Sequence, residues 1–187
     1  LAVSNGTFAL ELALRGLGIG SGDKVLVTSR SFVASASAPM LVGAVPVFAD
    51  VDECTGNVTA DTLEAAWSPD VCAVIVVHLA GLPCRMASIV EWAEKRNVLL
   101  IEDCAQAHGA SVNGKRVGSF GDSAAFSFCQ DKIMTTGGEG GMTLFTNREA
   151  FEQAWSWRDH GKVWQELFGA IARPVVKHFR WVADELG

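Results

Sequence analysis

Short apolar runs alternate along this chain with longer stretches of helical periodicity. Seven runs are predicted to be β-strands, at 1–3, 24–28, 46–51, 73–79, 98–103, 124–128 and 142–146. Runs such as Val-Ile-Val-Val are apolar on both faces, which is typical of a parallel sheet covered by helices on each side. Apolar stripes at helical spacing lie between the runs, at Leu10, Leu14 and Leu17 and at Ile89, Val90 and Ala93. The pattern predicts an α/β fold with the sheet in the middle.

Length and composition indicate one folded domain. The chain has 187 residues. At roughly 150 residues per domain, this length favours one domain over two full domains. Hydrophobic residues make up 49% and charged residues only 19%, and this balance excludes a largely disordered chain. Fifteen basic residues face 21 acidic ones, for a net charge of −6. Because a phosphate backbone would be repelled, we expect no nucleic-acid partner.

The five cysteines are widely spaced and include no CxxC pair. They predict reduced core thiols in a cytoplasmic protein rather than a disulfide framework or a zinc site, so no metal is expected. The apolar runs are much shorter than the roughly 20 residues that cross a bilayer, so no membrane partner is expected. No signal peptide is visible. Because Leu1 already lies in a predicted strand, we expect a fragment of a longer protein.

Two glycine patterns resemble nucleotide-binding motifs, but neither fits its context. The glycines of 16–22 end a helix and precede a strand, which predicts a C-cap and turn rather than a dinucleotide fingerprint. The segment 109–115 matches GxxxxGK, but Arg116 stands where Ser or Thr should hold magnesium. Asn113-Gly114 instead predicts a surface hairpin.

Ligands of open α/β sheets bind beyond the carboxyl ends of the strands, so the residues that follow each strand carry the candidate chemistry. After the first strand, the segment 4–7 (Ser-Asn-Gly-Thr) runs directly into a helix. Backbone N–H groups at such a helix start suit a phosphate. An ordinary N-cap by Ser4 or Thr7 explains this stretch equally well when it is taken alone.

Two further residues follow predicted strands. Asp103 ends a central strand, where its carboxylate would be costly to bury unless a cation, such as a protonated ring nitrogen, faced it; a helix-capping Asp is the alternative. Lys132 lies between a buried strand and the glycine-rich stretch 137–141. A lysine there can lose its proton through desolvation and form a Schiff base with an aldehyde, whereas a lone lysine is more often a surface residue.

In this order, a phosphate seat, a strand-end Asp and a Lys before glycines fit a pyridoxal 5′-phosphate (PLP) enzyme of fold type I. The sequence closely resembles the sugar aminotransferases of the DegT/DnrJ/EryC1/StrS family. The resemblance covers almost the whole chain and is carried by 4–7, 28–35, 78–83, 102–109, 127–132 and 135–141. It implies a mainly parallel, seven-stranded mixed sheet with helices on both faces.

The resemblance also implies a role for each site residue. Lys132 is expected to be the Schiff-base lysine and the base that moves a proton, and Asp103 to pair with the pyridine nitrogen so that the ring accepts carbanion charge. The remaining cofactor-binding residues are expected to be Gly6, Thr7 and Phe8 through backbone N–H groups on the phosphate, Ser127 through its hydroxyl, Phe32 by stacking on the ring, and Gln106 near the ring hydroxyl.

For the whole protein, the resemblance implies transfer of an amino group from glutamate to a keto group of a nucleotide-diphosphate sugar, in a homodimer with a shared active site. Residues 1–187 would then be most of the PLP-binding large domain, without the N-terminal arm and the C-terminal small domain. The chain departs from the family at Ile133, where many members have Asn, and at Ala80, where many have Tyr. Neither difference removes an expected cofactor contact, but both are expected to alter the sugar pocket.

Two alternatives stay open at this point. Another fold type I enzyme, such as an amino-acid aminotransferase or a sulfur-handling lyase, would keep the fold and the cofactor. The fragment by itself could also be a non-catalytic module that binds the cofactor weakly or pairs with another chain.

A Trp-rich, partly basic segment after Arg148 is predicted to be a solvated or partner-covered helical extension.

Overall fold

The structure, a computed structural model, describes residues 1–163. Helices and strands alternate along this part of the chain, as the apolar pattern predicts. In chain order the elements are β1 (Ala2–Val3), α1 (Gly6–Gly16), β2 (Lys24–Thr28), α2 (Ala34–Leu41), β3 (Val45–Ala49), α3 (Ala60–Ala66), β4 (Val71–Val77), a short 3-10 turn (Leu79–Gly81), α4 (Met86–Arg96), β5 (Leu99–Asp103), β6 (Ser111–Val112), β7 (Lys115–Arg116), β8 (Ser123–Ser127), β9 (Gly141–Phe145) and α5 (Arg148–Arg158).

Seven of these strands form one mixed sheet in the order β1-β9-β8-β5-β4-β2-β3. Five adjacent strands, β3, β2, β4, β5 and β8, are parallel to one another, whereas β9 pairs antiparallel with both β8 and β1. The predicted fold, a mainly parallel seven-stranded mixed sheet, is therefore confirmed. All seven predicted strands are present, although the observed β4 begins at Val71 and ends at Val77, two residues before its predicted bounds. It ends early because His78 is already the N-cap of the 3-10 turn that follows.

Side chains that alternate along each strand enter two separate cores. On β2, Val25 and Val27 pack with α1 and α2 on one face of the sheet. Leu26, between them, packs with α3 and α4 on the other face. Because both faces of the central strands are covered by helices, their sequences are continuously apolar instead of alternating with polar residues.

The local predictions are largely confirmed. β6 and β7 form the hairpin expected at Asn113-Gly114, with a positive φ at both turn residues. The glycine cluster after α1 forms the expected turn, in which Gly18 has φ 76°. α5 accounts for the first part of the predicted Trp-rich extension, and the part from Trp164 onward lies outside the described residues. Within the described part of the chain, no helix combines the length and apolar character needed to cross a bilayer.

Candidate active site

A cavity of about 300 Å³ lies at the carboxyl edge of the parallel strands. Its walls come from the starts of α1 and α2 and from the segments that follow β5 and β8. This is the edge at which open α/β sheets bind ligands. Seven of the eight expected cofactor-binding residues line this cavity: Gly6, Thr7, Phe32, Asp103, Gln106, Ser127 and Lys132. Phe8 does not.

The start of α1 forms one end of the cavity. Its N-cap is Asn5, and not Ser4 or Thr7, the two caps considered as an alternative, and the Asn5 side chain accepts a hydrogen bond of 2.8 Å from the Phe8 N–H. The Phe8 N–H is therefore already occupied by the cap. The N–H groups of Gly6 and Thr7 precede the first intrahelical bond, which runs from Ala9 N–H to the Asn5 carbonyl. As at any helix start, they lack an intrahelical acceptor, and N–H groups of this kind suit an anionic ligand.

Gly6 lets α1 approach the end of β8 more closely than any other residue could. A Cβ on Gly6 would lie 2.7 Å from the Ser127 Cβ and 3.2 Å from its hydroxyl oxygen. Such a contact is shorter than van der Waals packing permits. The absence of a side chain at Gly6 thus places the Ser127 hydroxyl beside the exposed N–H groups of the helix start.

The Asp103 carboxyl is buried at the end of β5, where it is 6% exposed. Its Oδ1 accepts a hydrogen bond of 3.1 Å from the Ala105 N–H, and its Oδ2 accepts one of 3.0 Å from the Ser35 hydroxyl. Burial raises the pKa of the Asp103 carboxyl above its ordinary value, against the opposing effect of these bonds. Both hydrogen-bond donors are uncharged, so a cationic ligand atom would stabilise the ionised form.

Lys132 belongs to the segment that leaves the sheet after β8. Its backbone N–H donates to the Cys129 carbonyl at 3.0 Å, which closes a turn. The Nζ lies 3.3 Å from Asp131 Oδ2, and the side chain is 21% exposed. The Lys132 side chain thus lies at the cavity wall but is still partly exposed to solvent. Its positive charge lowers the pKa of Asp103, but the opposite effect of burial is larger.

Gln106 and Phe32 occupy the sides of the cavity. The Gln106 Oε1 accepts a hydrogen bond of 2.6 Å from the Ala80 N–H in the 3-10 turn. Phe32 precedes α2 and is 67% exposed at the mouth. An exposed aromatic ring beside a cavity can stack on a planar ligand.

A second buried carboxylate lies behind the cavity. Glu102 precedes Asp103, and its side chain points to the opposite face of β5, where it is fully buried. It accepts hydrogen bonds from the N–H groups of Gly118, Phe120 and Gly121 and pairs with His78 Nε2 at 3.1 Å. Burial by itself would raise the pKa of Glu102, but these four bonds outweigh it and lower the pKa.

The His78 and Glu102 side chains also come within 4.8 Å of the Cys104 thiol, a grouping that could ligate a metal. Their polar atoms already have protein partners. The Cys84 N–H donates to His78 Nδ1 at 3.1 Å, so Nε2 carries the proton that faces Glu102. Burial also raises the pKa of the Cys104 thiol, which disfavours the thiolate a metal requires. We interpret the group as a structural network that holds the strand end in place.

Sequence reasoning missed the residues that act on the site through hydrogen bonds. Ser35, the donor to Asp103, lies within the segment 28–35 that carries the family resemblance, but its serine could not be assigned a partner 68 positions away. Asn5 was hidden because Ser4 and Thr7 are equally good capping residues. Pairings of this kind depend on tertiary contacts that have no periodic signal in the sequence.

Comparison with known proteins identifies the family. The family model described as "DegT/DnrJ/EryC1/StrS aminotransferase family" matches residues 1–173. A similar protein, the UDP-N-acetyl-3-dehydro-α-D-glucosamine 3-aminotransferase of Acidithiobacillus ferrooxidans, is 47% identical over 162 residues, which cover 87% of this chain and 44% of that protein.

Solved structures agree with the family assignment. An aminotransferase from Psychrobacter cryohalolentis is 50% identical, with a TM-score of 0.88, over 90% of this chain and 43% of the other. The ntda protein of Bacillus subtilis, solved with the bound cofactor PMP, is 28% identical with a TM-score of 0.78, over 83% of this chain and 35% of the other. The chain thus spans less than half the length of these relatives. It has fold type I and belongs to the DegT/DnrJ/EryC1/StrS aminotransferase family.

Proposed function

We propose that the protein is a PLP-dependent aminotransferase that moves an amino group from glutamate to a keto group of a nucleotide-diphosphate sugar. One observation carries the proposal: a helix start suited to a phosphate, a buried carboxyl and a lysine line the same cavity. The first and last of these groups, at Gly6 and Lys132, are more than 120 positions apart in the sequence. The relatives add support, since one is named for an amino transfer to a UDP-linked keto sugar.

The residues of the cavity fit PLP at each of its polar ends. The phosphate would bind the N–H groups of Gly6 and Thr7 and the Ser127 hydroxyl, at a helix start where the dipole favours an anion. The pyridine nitrogen would face Asp103. When bound, the cofactor supplies an aldehyde that condenses with amines and a ring that accepts electrons.

Two residues would then act on the reacting atoms, and a third would shield them. The Asp103 carboxylate would keep the ring nitrogen protonated, and that ion pair would offset the cost of burying the carboxyl. Lys132 would hold the cofactor through its amine, and its Nζ would later accept the proton released from the α-carbon of the amino donor. Phe32 would cover the ring face at the cavity mouth and limit the access of water.

We also propose that the active protein is a homodimer whose partner closes the cavity. The two segments that carry Phe32 and Lys132 expose further apolar side chains, with Val33 at 68% and Ile133 at 71% exposure. Exposed apolar groups clustered around a concave site are typical of an interface. Sedimentation of the complete protein should therefore give a dimer, and Ile133→Asp should shift it toward monomer.

Borohydride trapping tests the cofactor assignment. The complete protein is mixed with PLP, reduced, digested and analysed by mass spectrometry. We expect the reduced cofactor on Lys132 in the wild type and in the matched control Lys115→Ala, which removes an exposed lysine of the β6–β7 hairpin. Lys132→Ala should lose the adduct. Failure of the wild-type protein to form it would contradict the proposal and favour a non-catalytic module.

Substrate assays separate the remaining alternatives. The complete protein is given glutamate and a panel of nucleotide-linked keto sugars, and 2-oxoglutarate is measured. The same assay with 2-keto acids as acceptors tests for an amino-acid aminotransferase. Turnover with keto acids but with no keto sugar would contradict the proposed substrate class while leaving the cofactor assignment intact.

A further inference from the structure

Asn57 lies outside the cavity lining, yet it is connected to it. The residue is 4% exposed and sits between β3 and α3. Its side-chain oxygen accepts a hydrogen bond of 3.2 Å from the Leu79 N–H, and its side-chain nitrogen donates one of 2.9 Å to the Leu82 carbonyl. A single buried amide therefore bonds both ends of the turn 79–82.

That turn adopts a backbone conformation that needs support. Ala80 has φ 53° and ψ 25°, in the left-handed region that disfavours residues with a Cβ, and Gly81 follows with φ 82°. The turn itself contributes only the bonds from the Gly81 and Leu82 N–H groups to the carbonyls of His78 and Leu79. The two bonds from Asn57 are the contacts that hold it from outside at Leu79 and Leu82.

The turn 79–82 fixes the orientation of the Gln106 side chain. The Ala80 N–H can only donate, so the atom it meets at 2.6 Å must be the amide oxygen of Gln106, and the amide cannot be flipped. With the oxygen taken, the NH₂ group is the end of Gln106 that remains for a ligand. Gln106 is thereby restricted to the role of a hydrogen-bond donor in the cavity.

We propose that Asn57 is a positioning residue which, by holding the turn 79–82, makes Gln106 a donor to an oxygen anion of the bound ligand. The inference rests on the proposed function, in which that ligand atom is the ionised ring hydroxyl of the cofactor. Without Asn57 the Ala80 N–H would move, and the Gln106 amide could rotate to present its oxygen, which an oxyanion would repel.

The test compares two non-covalent ligands, pyridoxamine 5′-phosphate and its 3-deoxy analogue, which lacks the ring hydroxyl. Their dissociation constants are measured with the complete protein. A bond from an amide to a charged oxygen is worth roughly tenfold or more in affinity, so the wild type should prefer the hydroxylated ligand by about that factor. Gln106→Ala should abolish most of the preference.

The Asn57 variants decide the inference. Asn57→Ala removes both bonds to the turn, whereas Asn57→Asp keeps the acceptor for the Leu79 N–H and so guards against failure to fold. Both should lose most of the preference, and adding Gln106→Ala should cause no further loss. The matched control Asn147→Ala removes the cap of α5 at the opposite edge of the sheet and should leave the preference unchanged.

The outcomes separate this inference from the proposed function. If the wild type bound neither ligand, the proposed function would fail. If the Asn57→Asp protein bound both ligands and kept the full preference, Asn57 would have no positioning role, although the cofactor site would stand. Retention of the preference in Gln106→Ala would likewise overturn the inference, because another group would then contact the ring oxygen.

Discussion

Ser35, in the first turn of α2, donates a hydrogen bond of 3.0 Å to Oδ2 of Asp103 at the end of β5. The Ser35 hydroxyl also lies 2.7 Å from that of Ser31, so a short chain of hydroxyl groups leads from the cavity wall to the buried carboxyl. The bond connects α2 to the acidic group that the proposed chemistry requires.

Ser35→Ala should weaken cofactor binding without destroying the fold. The substitution removes one donor from the ionised carboxylate, and hydrogen bonds to charged groups contribute about 1.5–3 kcal/mol. The pKa of Asp103 should rise further, so we expect binding of pyridoxamine phosphate to weaken by about tenfold in a fluorescence titration. Ser37→Ala, on the same helix, is the control and should bind normally. Equal affinities for the two variants would show that the bond to Asp103 does not matter.

Asp103→Asn should change how the stability of the cofactor-free protein depends on pH. Burial raises the folded-state pKa of Asp103 above 3.8. The wild type is therefore favoured at low pH and loses that contribution as pH rises through the raised pKa. Urea unfolding should show the variant gaining on the wild type from about pH 4 upward. Parallel pH profiles of the two proteins would contradict this expectation. Separately, the affinity for PLP should fall in the Asp103→Asn variant.

Gly6→Ala should cost stability because the new Cβ would lie 2.7 Å from the Ser127 Cβ. Overpacking of this kind typically costs about 1–3 kcal/mol. The control is Gly20→Ala, whose Cβ would lie 3.8 Å from its nearest neighbour, the Val42 carbonyl oxygen. Denaturant unfolding should detect the loss only in the first variant. Combining it with Ser127→Gly, which removes the opposing atom, should recover part of the loss, and strict additivity would refute the proposed clash.

Glu102→Gln should destabilise the protein strongly, since a side-chain NH₂ would replace an oxygen that accepts from backbone N–H groups. Breaking a buried charged network costs about 3 kcal/mol or more. The folded-state pKa of Glu102 is lowered below 4.5, so its contribution is present above that pH and is lost as pH falls. The difference from the wild type should therefore shrink in acid. Exposed Glu91→Gln serves as the control, and an equal effect there would contradict the network.

The sequence by itself determined the fold class and the order of its elements. Runs such as 71–77 are apolar at every position. This pattern is typical of a strand that is covered by helices on both faces of the sheet. Sequence motifs at strand ends also placed Asp103 and Lys132 at the carboxyl edge of the sheet, because parallel strands must end there together. These inferences follow from periodicity and local chemistry, which a linear sequence records.

Only the tertiary structure decided which groups meet. It replaced Ser4 and Thr7 with Asn5 as the cap of α1, and it paired Glu102 with His78, 24 positions away in the sequence. It also connected Asn57 to Gln106 through a turn that neither residue predicts. A hydrogen bond between distant segments forms only when packing places its two atoms to within a few tenths of an ångström. Such placement leaves no repeating pattern in the sequence.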